Sequence, residues 1–113
     1  MSNIVRFDVL RSLAFASITN SYVALGVPFD HAMRLIHFIN NTDGDMLVSF
    51  DGINDNTIIL AESFALYDLT AQQDIAEHFR YQNGTQLYVK YLTAPTGPVT
   101  GAFYACCVYG KGE

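Results

Sequence analysis

The acidic and amide side chains Asp43, Asp45, Asp51, Asn54 and Asp55 form the densest group of oxygen ligands in the chain. Hard cations such as calcium take several carboxylate and carbonyl oxygens from one flexible loop. The spacing here departs from the calcium-loop pattern, which needs acids at alternating positions and a closing glutamate. The competing role is turn chemistry, in which Asx side chains bond their own backbone. The three histidines, His31, His37 and His78, have no second His, Cys or carboxylate at a spacing that recurs in zinc motifs. Asp8, Asp30 or Glu62 could orient a histidine as general base, but no glycine-framed serine nucleophile accompanies them. Cys106 and Cys107 are adjacent in a run that reads as strand, where neighbouring side chains point to opposite faces. A disulfide between them would be strained, so two small buried apolar residues are expected. No phosphate-binding glycine loop, nucleotide fingerprint or pair of catalytic carboxylates is present. The expectation is a non-enzyme without metal or cofactor.

The scaffold for these residues is one domain, because 113 residues leave no room for a second core. Half the residues are hydrophobic and only 15% are charged, with 7 Tyr and 8 Phe. A domain of this size buries about two-thirds of its chain surface. Surplus apolar area of this kind points to association with other subunits and to a homo-oligomer. The net charge of −5 and the pI near 4.9 argue against nucleic acid as partner. The six basic residues, Arg6, Arg11, Arg34, Arg80, Lys90 and Lys111, are dispersed. No apolar run reaches the roughly 18 residues of a membrane helix, and the N-terminus lacks the features of a signal peptide. A soluble product without membrane contact is therefore expected, and the glycosylation patterns at Asn40 and Asn83 carry no meaning in that setting.

Short apolar runs punctuated by turn residues predict an all-β domain over residues 1–113, an antiparallel β-sandwich of jelly-roll-like type with at most one short helix. The stretch Ile4 to Ile18 alternates poorly and reads as an N-terminal arm, a strand or one turn of helix, and residues 1–15 are the candidate arm or first strand. A hairpin is expected from Met33 to Asn40 and Met46 to Phe50, with Asp43 and Gly44 at a turn that uses positive φ. Asp51 and Gly52 should form the next turn and Gly84 another. Strands are expected at Tyr22 to Leu25, Thr57 to Leu60, Gln86 to Leu92 and Ala102 to Tyr109, with a strand or loop crossing at Phe64 to Leu69. The helix, if formed, falls within Ala71 to Tyr81. In the last strand Ala102, Tyr104, Cys106 and Val108 share one face, and Phe103, Ala105, Cys107 and Tyr109 the other. A strand without a polar face is covered twice or lies at a subunit contact. The candidate interface residues are Arg34, Tyr88, Lys90, Tyr91, Phe103 and Tyr109.

The segments NNTDGDMLVSFDG (Asn40 to Gly52), LAESFALYDLT (Leu60 to Thr70), NGTQLYVK (Asn83 to Lys90) and GAFYACCVYG (Gly101 to Gly110) resemble small virion proteins of tailed bacteriophages. The resemblance spans roughly the last two-thirds of the chain. It implies a β-sandwich that serves as a head decoration (cement) protein on the major capsid protein, or as a neck, head-completion or tail component, assembled in the host bacterial cytoplasm. The alternative is a carbohydrate- or receptor-binding module that uses Tyr22, Tyr67, Tyr81, Tyr91 or Tyr109.

Overall fold

Alternating exposure along each strand divides the chain into inward and outward faces, and the inward faces of two antiparallel sheets make one core. The computed structural model describes residues 5–68, 84–92 and 98–110. The strands are β1 (Val5–Phe7), β2 (Arg11–Ala14), β3 (Val23–Ala24), β4 (Met33–Thr42), β5 (Met46–Ser49), β6 (Thr57–Ile59), β7 (Ser63–Asp68), β8 (Tyr88–Tyr91) and β9 (Gly101–Gly110). One sheet runs β1-β9-β4-β7, with β2 also paired to β9, and the other runs β3-β8-β5-β6. The domain is thus an all-β sandwich, as its sequence pattern requires. The only helical element among the described residues is a 3-10 turn at Phe15–Ser17. The candidate helix within Ala71 to Tyr81 lies outside the described residues.

The N-terminal stretch is part of the larger sheet: Val5 to Phe7 pair with Gly110 to Val108, and Arg11 to Ala14 with Ala105 to Ala102. Between β1 and β2 the chain bends around Arg11, whose side chain is buried and donates to the carbonyls of Val27 and Val9 and to Asp8. Strand β9 is therefore central, with β4 on one side and β1 and β2 on the other.

The expected hairpin of Met33 to Asn40 with Met46 to Phe50 does not form. Strand β4 pairs with β7 and β9, whereas β5 pairs with β6 and β8 in the opposite sheet. The reason is a buried polar knot at the corner between them. Asn40 donates from Nδ2 to the carbonyls of Gly44, Ile59 and Leu60, and its Oδ1 accepts from the backbone and hydroxyl of Thr42. These bonds carry the chain from one sheet to the other. Gly44 is absent from the positive-φ residues, so the turn does not use its backbone freedom. A second crossing, from β6 to β7, turns through Glu62 at φ 55, whose N–H donates to the Thr42 carbonyl.

The turn after β5 follows expectation. Gly52 has φ 77, and a Cβ there would stand 3.2 Å from the Tyr88 ring. Replacing Gly52 by Val adds backbone strain to this contact and is expected to cost more than about 1 kcal/mol. An unchanged denaturant midpoint would refute that expectation.

Candidate functional site

The outward face of the larger sheet is built mainly from apolar side chains. Register places Ile39 between Phe64 and Tyr104, His37 between Leu66 and Cys106, and Leu35 between Asp68 and Val108. On the far side of β9, Phe7 lies opposite Val108 and Ser12 opposite Tyr104. The exposures differ across this face. Phe64 and Leu66 on β7 are 69% and 52% exposed and Phe7 on β1 is 74% exposed, whereas the outward residues Leu35, His37, Ile39, Tyr104 and Cys106 of β4 and β9 are half-buried and Val108 is buried. The face is thus most open at its flanks, on β7 and at Phe7, and more covered over the central strands β4 and β9, which have neighbours on both sides. The Phe64 ring meets His37 edge-on, with centroids 5.5 Å apart, which packs β7 against β4 on this face. In these rows the only formally charged side chain is Asp68, at one end.

The interface candidates read from sequence scatter over the fold. Phe103 is fully buried between the sheets and cannot meet a partner, because alternation turns it inward with Ala105 and Cys107. Tyr109 packs against the core and stacks on His31 with ring centroids 3.8 Å apart. Tyr91 also packs against the core. Tyr88 and Lys90 face outward on the smaller sheet, and Arg34 is half-buried at the irregular start of β4. The residues that sequence reasoning missed are Phe64, Leu66 and Phe7. Their signal was present in β7, where Phe64 and Leu66 alternate with Ala65 and Tyr67, but the pattern does not say which set turns inward.

The acidic cluster resolves into loop bonds. Asp43 accepts from the Val99 N–H and Asp45 from the Ala61 N–H, both at Oδ1. Asp51 accepts from the N–H groups of Ile53 and Asn54, the Ser49 hydroxyl and the Asn54 amide. The backbone bonds from Asn54 and Ile53 hold its carboxyl well below the usual carboxylate range. Asp55 accepts from the Tyr22 hydroxyl and lies 3.6 Å from the Lys90 ammonium, which stands over the Tyr22 ring. Burial, reinforced by the bond to Asp55, pushes the Tyr22 phenol upward. Among the described residues no three His, Cys, Asp or Glu side chains gather as a metal site would require. His78 lies outside the described residues.

Cys107 is buried and its thiol is pushed up to about 11, chiefly by that burial, so it carries little thiolate at neutral pH. Cys106, expected to be buried, is instead half-exposed on the outward face. Both cysteines are free. A cleft of about 250 Å³ opens beside Phe50, Asn56, Thr57 and Tyr67, with the Thr57 and Tyr67 hydroxyls bonded to each other. Among the described residues no helix is long and apolar enough to cross a membrane.

Comparison with protein-family models, with curated proteins and with solved structures finds no match to the chain.

Proposed function

We propose that the chain is a structural subunit of a larger assembly, and specifically a virion protein of the tailed-bacteriophage type that attaches to the major capsid protein or to neighbouring virion subunits. The observation that carries this reading is the outward face of the larger sheet, where Phe64, Leu66 and Phe7 are exposed at the flanks of a mainly apolar surface. Soluble monomers rarely leave so continuous an apolar surface uncovered. The resemblance of the segments from Asn40 to Gly110 to phage virion proteins supplies the kind of assembly. Decoration of the head is the first choice, and a neck or tail position is the alternative within the same class.

A carbohydrate- or receptor-binding role would draw on the cleft beside Tyr67. At about 250 Å³ it falls below the ~300–1,000 Å³ of ordinary ligand pockets. The larger, flatter surface therefore favours a protein partner. Co-sedimentation tests the proposal: purified protein mixed with phage heads lacking it should pellet with them saturably, and the copy number at saturation separates head decoration, in the hundreds, from a neck or tail position. Protein that stays in the supernatant with heads, necks and tails alike overturns the reading.

A further inference from the structure

We infer that the cleft between β6 and β7 is a binding site for one neutral aromatic ring that carries a hydroxyl group, as a tyrosine side chain or a free phenol does. The inference concerns this cleft alone, so it stands or falls apart from the virion reading.

The walls give the first reason. Thr57 on β6 and Tyr67 on β7 belong to flanking strands of different sheets, and the cleft they border with Phe50 and Asn56 opens where those strands meet. The Phe50 and Tyr67 rings each pack steeply against buried Phe38, with centroids 6.5 and 5.9 Å away and interplanar angles of 82° and 71°. Two rings held in place by a third offer a preformed surface to a flat ring, which gains from offset or edge-on contact. The volume of about 250 Å³ exceeds the ~150 Å³ that holds a benzene molecule, so one substituted ring is admitted.

Hydrogen-bond donors give the second. The Thr57 and Tyr67 hydroxyls bond each other, which spends the proton of one and leaves the proton of the other to donate outward. The Asn56 carboxamide is oriented by its Oδ1, which accepts from the Phe50 N–H at 2.8 Å, and its NH2 group makes no bond among the described residues. The cleft thus joins a hydroxyl donor and an amide donor to apolar ring faces, and a phenolic oxygen can accept from either. A sugar ring, with hydroxyls around its whole edge, would leave most of them against apolar walls.

Charge gives the third. In the loop from Phe50 to Asn56 the charged side chains are Asp51 and Asp55, and the chain as a whole carries −5. The Lys90 ammonium is already matched to Asp55 at 3.6 Å. A ring that bears a carboxylate is repelled here, whereas a neutral phenol is not.

The test uses the full chain and p-cresol, the tyrosine side chain as a free molecule. A titration followed by two-dimensional NMR should give saturable shifts centred on Phe50, Asn56, Thr57 and Tyr67, with a dissociation constant on the order of 1 mM, as a ligand of this size gives. Toluene, which lacks the hydroxyl, should bind about fivefold more weakly, and p-hydroxybenzoate about tenfold more weakly. These comparisons use the unmodified protein and depend on no variant folding. Asn56→Asp keeps the acceptor for the Phe50 N–H, and the double variant Thr57→Val/Tyr67→Phe removes both hydroxyls. Each should weaken p-cresol by about fivefold and leave toluene within about twofold. Titration without saturation, shifts centred elsewhere, equal binding of the three ligands, or variants that bind p-cresol as the unmodified chain does each overturn the inference. N-acetyltyrosinamide separates the sources: binding as tight as that of p-cresol assigns the cleft to a side chain presented by a partner protein, and exclusion assigns it to a free phenol. Particle binding is scored separately. A chain that pellets with heads but ignores p-cresol loses this site and keeps the assembly role, while one that binds p-cresol and no virion component does the reverse.

Discussion

Gly101→Ala is expected to lower stability by at least ~4 kcal/mol, because it combines left-handed backbone strain with a steric overlap that no rotamer can relieve. Gly101 has φ 91, and a Cβ placed there would lie 1.8 Å from the carbonyl oxygen of Asn41 and 2.8 Å from its carbonyl carbon. Both are backbone atoms of β4, held in register by the ladder that pairs Thr42 with Gly101 and Asn41 with Ala102. To admit a methyl group, β4 and β9 would have to part at the end of the ladder that joins the centre of the larger sheet. Gly84 is the matched control. Its φ is 92, and a Cβ there meets nothing within 4 Å. Gly84→Ala carries the strain alone, about 1–2 kcal/mol. Chemical denaturation of the two variants side by side measures the difference, and equal losses would show that the close approach of β4 to Gly101 is not a constraint.

Arg11→Met should cost about 3–5 kcal/mol, the loss expected when one partner of a buried ion pair is removed. Arg11 donates to Asp8 at 2.8 Å, to Val27 O at 2.9 Å, to Val9 O at 3.3 Å and to Pro28 O at 3.4 Å, and its guanidinium carbon lies 5.1 Å from the centre of the Phe29 ring. Methionine preserves part of the aliphatic stem that packs over Gly26 but leaves the Asp8 carboxylate without its counter-charge and removes the guanidinium bonds to three carbonyls. The double variant Asp8→Asn/Arg11→Met should be less destabilised than the sum of the two single variants, since it no longer leaves a poorly solvated carboxylate uncompensated. A denaturant melt of the full cycle checks this. Strict additivity would mean that Arg11 stabilises the fold without coupling to the Asp8 carboxylate.

Both residues show where sequence reasoning reaches its limit. Arg11 looks like an interruption in a poorly alternating run, yet it ties the bend between β1 and β2 to the Val27–Pro28 loop. Gly101 looks like the close of a loop, and its need for a bare Cα arises only from the backbone of a strand remote in sequence. The turn at Asp51 and Gly52 was legible because its bonds are local: the Asp51 carboxylate reaches the N–H groups two and three residues ahead. The segment from Met33 to Phe50 was half legible. Its two strands are where alternation puts them, but the partner of each is fixed by Asn40 reaching the carbonyls of Ile59 and Leu60, a contact that no local pattern encodes.

Local pattern along the chain was enough to establish that it is all-β, where most of its strands lie and which residues of β9 share a face. These follow from period-two alternation, β-branched and aromatic content and turn residues, all of which act within a few positions. Tertiary structure alone decided which sheet each strand joins and which of its two faces turns inward. It thereby sent Phe103 to the core and left Phe64, Leu66 and Cys106 on the surface. The physical reason is that alternation specifies two faces without ranking them. The ranking comes from the opposing sheet, whose side chains must fill the same core at close-packed density.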